Sequence, residues 1–278
     1  MGAQLRLILA AAICGLAAVA LADTNGMNQI NGLGQVFAGS GPSSPLLGRR
    51  VLVYWDPYKG DGAEKDNLIT ILQGAGATVT ETSTTDPLTF ASALDEKDVL
   101  VIAELLDGQY PAAGDLDMLD SRFTAFKPHV DLFLDGGGVA IVTEGDVSTT
   151  PGVQVINSLG YTAVTAGAGY ISTVSLALDD PADPMLYGIS SLSTNSGWMD
   201  FYSTDLLLNR VASYAGEYVL ADKPVSDGWF GIIGFDYWSS DTNMEQALIN
   251  TAAIPEPATA VLVALGLGVL LIHRRRRS

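Results

Sequence analysis

The sequence predicts an α/β domain built on a doubly wound, mainly parallel sheet with a late antiparallel hairpin. Three observations predict it. The apolar runs at 51–55, 98–103 and 139–143 are unbroken, as expected of strands buried on both faces. Segments with helical spacing or helix-cap chemistry lie between them, and glycine-rich stops stand at 74–76 and 136–138. Strands alternating with helices at this spacing imply a parallel sheet covered on both faces, and the crossover rule makes each connection right-handed.

In chain order, Val51 to Trp55 follows the basic pair Arg49-Arg50 and reads as the first strand. Leu68, Ile69, Ile71 and Leu72 recur at helical spacing within 63–74. Thr78-Val79-Thr80 is the second strand. Asp86 and Pro87 are the cap and first-turn residues of a short helix running to Leu94. Asp98 to Ala103 is the third strand, a long helix covers about 114–134, and Val139 to Thr143 is the fourth strand. Beyond Gly145 the pattern changes. Gln154 to Leu159 reads as a short helix and Tyr170 to Leu178 as a strand. Glu217 to Ala221 and Trp229 to Trp238 read as a hairpin joined through 222–228, and Thr242 to Ala253 as a last helix.

Both ends carry targeting grammar. The first 22 residues contain Arg6, an apolar run from Leu7 to Leu21 and small residues at Ala20 and Ala22, the pattern of a secretory signal peptide cleaved after Ala22. Residues 23–47 are rich in Asn, Gly, Ser and Pro and read as a flexible lead-in to an α/β domain at 48–253. The segment 254–278 opens on Pro255-Glu256-Pro257, continues as an apolar stretch to Ile272, and closes on Arg274-Arg275-Arg276-Arg277. From Ala258 to Ile272 that stretch reaches roughly 22 Å as a helix, short of a hydrocarbon core of about 30 Å. It is expected to be a short transmembrane helix with its arginines on the cytoplasmic side. The body of the chain then faces the periplasm as a tethered precursor.

Without these two ends the chain keeps nine of its 14 basic and 30 of its 31 acidic residues. So acidic a body excludes nucleic acid as a partner, because phosphate binding needs a basic surface. Cys14, the only cysteine, leaves with the signal peptide. No cysteine nucleophile, thiolate zinc site or iron–sulfur cluster is then available, and neither a cofactor nor a resident metal is expected.

Pro255, Glu256 and Pro257, with the apolar segment and the cluster Arg274 to Arg277, closely resemble the PEP-CTERM sorting signal. That resemblance implies recognition by an exosortase, a membrane transpeptidase-like enzyme of Gram-negative bacteria that make exopolysaccharide, followed by removal of the tail. It places the processed chain in the cell envelope, at the cell surface or in the extracellular matrix.

The order of elements in the body resembles the class I glutamine amidotransferase-like or flavodoxin-like architecture, found also in ThuA-like and related non-catalytic domains. The residues that carry it are 51–55, 98–103, Asp135-Gly136-Gly137-Gly138 before 139–143, and Gly231 to Asp236. In such amidotransferases a cysteine follows the strand introduced by the glycine-rich turn. Here that turn reads Thr143-Glu144-Gly145-Asp146, with Glu144 near the nucleophile's place, and a carboxylate is a poor substitute for a thiolate in acyl transfer. The only histidine of the body, His129, sits in the predicted long helix without a second base beside it. No catalytic residue is therefore assigned.

Parallel sheets of this kind place ligands at the carboxyl ends of their strands. Asp56, Glu104 and Glu144, with Asp146, stand at that edge and form the candidate ligand or cation site. Trp55, Tyr58, Trp229, Tyr237 and Trp238 are candidate lining for a carbohydrate-binding edge. The leading expectation is an exported envelope or matrix protein with a non-catalytic structural or binding role. Two alternatives stay open: a carbohydrate-active hydrolase using strand-end carboxylates, and a module binding exopolysaccharide or calcium.

Overall fold

Alternation of inward-facing side chains decides the architecture of the body. In the computed structural model, which describes residues 44–56, 60, 62–105, 114–144, 150–167, 170–171, 173–194, 197–237 and 240–254, the first half is a βαβ series. It runs β1 (Arg50–Tyr54), α1 (Gly62–Gly74), β2 (Thr78–Thr82), α2 (Pro87–Leu94), β3 (Val99–Ile102), α3 (Asp115–Asp135), β4 (Val139–Thr143) and α4 (Thr150–Leu159). The second half is richer in short strands: β5 (Val164–Ala166), β6 (Tyr170–Ile171), β7 (Ala177–Leu178), a 3-10 turn at Pro184–Leu186, β8 (Gly197–Trp198), β9 (Phe201–Ser203), β10 (Asn209–Tyr214), β11 (Glu217–Val225) and β12 (Gly228–Ile233), closed by α5 (Thr242–Ala252). Residues Ser44–Ile254 form one compact unit.

The sheet runs β2-β1-β3-β4-β12-β11-β10-β7. β2, β1, β3, β4 and β12 are mutually parallel, and β11, β10 and β7 continue it antiparallel. The expected hairpin is thus part of the main sheet, with β12 docked beside β4. One face of the parallel strands, Val51, Val53, Val99, Val101, Val139 and Ile141, packs with Leu68 and Leu72 of α1 and Met244 and Leu248 of α5. The alternate residues, Leu52, Tyr54, Leu100, Ile102, Ala140 and Val142, pack with Phe90 of α2, Phe123 and Phe126 of α3 and Ile156 of α4. Two cores, one on each side of a central sheet, explain why these strands read as unbroken apolar runs.

Cap chemistry sets several helix ends. The Asp86 carboxylate accepts from Thr89 N at 2.8 Å, and Asp241 accepts from Asn243 N and Met244 N. After α3, Gly137 adopts φ 92°, and a Cβ on Gly138 would lie 2.3 Å from the Phe133 ring. The triple glycine is therefore a helix-to-strand turn: one position needs the left-handed region, and the next needs the absence of a side chain. At the last described residue, the Arg49 guanidinium donates to the Ile254 carbonyl at 2.8 Å and ties the exit of α5 to the entry of β1.

The second half departs from expectation in three places. The segment 170–178 is two short strands in different sheets: β6 pairs with β8, and β7 with β10. The residues expected to loop between the hairpin strands are mostly strand, since Asp222 to Val225 pair with Gly228 to Gly231 and only Ser226-Asp227 turn. Third, β5, β8, β9 and β10 have no counterpart in the expectation. The expected signal peptide, the lead-in as far as residue 43, the sorting motif and the transmembrane stretch lie outside the described residues. Among the described residues, no helix is long and apolar enough to cross a membrane.

Candidate functional site

The carboxyl ends of β1, β3, β4 and β12 bring Asp56, Glu104, Glu144 and Asp236 to one edge of the sheet. Each residue follows its strand by one to three positions, so strand register alone carries it there. The first turn of α1, directly after the β1 connection, adds Glu64.

Glu64, Glu104 and Asp236 converge. Each offers a carboxylate oxygen, and the three oxygens lie within 4.8 Å of one another. Glu64 and Glu104 are buried and Asp236 is half-buried, so the group opens outward on one side. Hard oxygen donors at this spacing suit calcium or magnesium, which are held by carboxylates and carbonyls rather than by nitrogen or sulfur. The Gly60 turn closes beside them: its N–H donates to the Asp56 carbonyl at 2.8 Å, and a Cβ there would lie 2.7 Å from the Glu104 carbonyl oxygen. Tyr237, next to Asp236, is fully buried and donates to the Met244 carbonyl at 3.1 Å. Burial first, and the Glu64 carboxylate second, push its hydroxyl pKa well up.

The other expected residues have different partners. The Asp56 carboxylate accepts from Arg122 of α3 at 2.8 Å, and the same guanidinium nitrogen donates to Tyr54 Oη at 3.1 Å. Asp56 is thus one half of a buried ion pair. Glu144 is buried against α4, where a Cβ on Gly152 would lie 2.5 Å from its Cγ. Asp146 lies outside the described residues. The expected set therefore contributes Glu104 to the carboxylate group. Glu64 and Asp236 complete it.

The aromatic edge does not assemble from the described residues. Lys65 covers the Trp55 ring at 4.4 Å, Tyr237 is buried, and Trp229 is the second residue of β12, near the opposite end of that strand from Asp236. Tyr58 and Trp238 are outside the described residues. His129 lies in α3, half-buried, as the helical pattern implied.

Known proteins resemble this chain in fold and in one motif. A cytoplasmic protein of Salmonella typhimurium is 12% identical and covers 73% of this chain and 98% of its own, with a TM-score of 0.51. A second, from strain LT2, is 13% identical and covers 73% and 96%, also at 0.51. At these identities the likeness is one of fold. A glutamine amidotransferase of Thermotoga maritima is also among the similar structures, at 13% identity, covering 78% of this chain and 95% of its own with a TM-score of 0.45. No curated protein sequence matches the chain. Residues 253–277 match the PEP-CTERM protein-sorting motif, the signal of an exported protein that is anchored at the membrane before an exosortase processes it.

Proposed function

We propose that this chain is an exported cell-envelope or matrix protein, cut from its membrane tail by an exosortase-like enzyme, whose α/β domain has a non-catalytic structural or binding role. The match of residues 253–277 to the sorting motif carries the reading. Pro255, Glu256 and Pro257 are the recognition element, the apolar stretch after them is the temporary tether, and Arg274 to Arg277 hold it from the cytoplasmic side. The non-catalytic part is supported by the body's lack of any cysteine at the turn where amidotransferases carry one, and by its single histidine, His129. Expression with a C-terminal tag in an exosortase-bearing host tests the sorting. The tag should be lost from the exported chain, and replacing Pro255, Glu256 and Pro257 with alanine should retain it at the membrane. Equal tag loss in both would refute the reading.

One observation favours a second, compatible reading, that the domain binds a divalent cation. Glu64, Glu104 and Asp236 supply three carboxylate oxygens within 4.8 Å of one another, a partial shell for an ion that takes six to eight oxygens. Calcium added to the purified chain should raise its melting temperature, as any ligand selective for the folded state does. Glu104→Gln should remove most of that rise. A melting temperature indifferent to calcium and magnesium rules the cation out.

A further inference from the structure

The parallel half of the sheet ends in β2, whose outer side is a free edge. From Thr78 to Thr82 it pairs with β1 in an unbroken parallel register. Thr78 N donates to the Arg49 carbonyl at 2.8 Å, and the Thr82 carbonyl accepts from Trp55 N at 3.1 Å. Successive residues of a strand direct their backbone groups to opposite sides. Thr78, Thr80 and Thr82 therefore face β1, while Val79 and Glu81 turn their N–H and carbonyl groups outward. Among the described residues no other strand pairs with β2.

Edge strands are ordinarily guarded against pairing by proline, lysine, a bulge or a covering loop. β2 reads Thr-Val-Thr-Glu-Thr, with no proline, no lysine and no break of register. Its only charge, Glu81, is held by Lys65 of α1 at 2.8 Å. That neutrality matters in a body with 30 acidic and nine basic residues, whose copies repel one another over most of their surface. The opposite end of the sheet offers less to a partner strand, since β7 is two residues long and β10 behind it shifts register twice.

We propose that β2 is a self-association edge, at which two copies of the chain join antiparallel about a two-fold axis through Thr80 and continue one sheet into the other. In that register Val79 stands opposite Glu81 of the second copy, and Glu81 opposite its Val79. Each of these pairs exchanges two backbone hydrogen bonds, so every outward group of Val79 and Glu81 is used. Thr80 meets Thr80 of the second copy, a favourable cross-strand pair, and no like charges face each other. The neighbouring two-fold registers are worse. Centring on Glu81 sets carboxylate against carboxylate. Centring on Val79 calls on Ala77, whose N–H already donates to the Leu72 carbonyl at 3.0 Å.

Cysteine scanning in the full chain carrying Cys14→Ser, which leaves no other cysteine, tests both the partner and the register. Across the axis the two Thr80 Cα atoms would stand about 4.5 Å apart, inside the disulfide span of roughly 4.4–6.8 Å. Thr80→Cys should therefore give a disulfide-linked homodimer on non-reducing gels. Thr78→Cys and Thr82→Cys should each stay monomeric, yet link to one another when co-expressed with different tags, because position 78 of one copy faces 82 of the other. Val79→Pro removes an outward N–H and leaves the ladder to β1 intact, so adding it to Thr80→Cys should abolish the dimer band. Equal dimer from all three single variants, or a band that survives Val79→Pro, would overturn the proposal. So would the absence of dimer from Thr80→Cys, and exchange-protected amides at Val79 and Glu81 in that monomer would show another segment lying on the edge. Should Val79→Pro fail to fold, the pattern across positions 78, 80 and 82 decides alone.

Discussion

Arg122 and Asp56 form an ion pair at 2.8 Å with side chains only 11% and 5% exposed, joining α3 to the carboxyl end of β1. A charge so deeply placed is tolerable because its partner and the Tyr54 hydroxyl solvate it. Arg122→Met takes the positive charge away from the buried Asp56, and should cost about 3–5 kcal/mol by chemical denaturation. The double variant with Asp56→Leu should recover much of the loss. A cycle in which the two changes simply add would show that the pair is uncoupled.

Below that pair lies an aromatic cluster. Phe90 and Phe126 stack at 4.1 Å between centroids and 3° between planes, and Tyr54 meets both edge-on at 5.8 and 5.5 Å. All three are fully buried. Phe126→Ala should destabilise by about 3–5 kcal/mol, the usual range for emptying a buried aromatic site. Phe126→Leu should cost clearly less, and equal midpoints for the two variants would show that the site collapses around alanine.

The turn at Gly60 is sterically closed to a side chain. The clash in Gly60→Ala is with backbone carbonyl oxygens of Glu104 and Asp56, at 2.7 and 2.9 Å, so no rotamer change relieves it. We expect a loss of about 1–3 kcal/mol, in the range for overpacking. If calcium binds the neighbouring carboxylates, the variant should also bind it more weakly. Unchanged stability would mean that the turn moves away freely.

Alkaline titration should separate the tyrosines. Burial pushes Tyr54 up to about 12, and Tyr161, half-buried and donating to Asp131 at 2.9 Å, is pushed well above its ordinary range, as is Tyr237. A hydroxyl whose folded pKa is raised contributes stability that is present below about pH 10 and lost as pH climbs through the folded value. Three of the ten tyrosines should therefore ionise only as the protein unfolds, seen as a slow, cooperative rise in tyrosinate absorbance. A fast, smooth titration of all ten would contradict the buried hydroxyls.

The parallel half was legible because double-sided burial writes itself into sequence. Val51 to Tyr54 and Val139 to Val142 are apolar at every position, since both faces of their strands meet a core. The antiparallel half carries no such mark. β10 reads Asn-Arg-Val-Ala-Ser-Tyr, and its register shifts twice between Arg210 and Ser213, which destroys the period of two. In β11 the Asp222-Lys223-Pro224 sequence imitates a loop, yet Asp222 is buried and accepts from Trp229 Nε1, and Pro224 lies beyond the last residue that β10 pairs. At the candidate site, Glu104 could be found because it directly follows an obvious strand. Glu64 could not, because an acid in the first turn of a helix is ordinary dipole chemistry until the topology places it beside β3 and β12.

The bond from Arg49 to the Ile254 carbonyl decides how the domain takes a load. A pull applied through residues beyond 254 would arrive at the end of α5 and, through Arg49, at the residue preceding β1. Besides that bond, α5 is held by the Tyr237 hydroxyl, which donates to the Met244 carbonyl, and by Asn250, which donates to the Met185 and Tyr187 carbonyls. The exit of the last helix is thus fastened to the entry of the first strand by a single side chain, so the two ends of the domain share one anchor point.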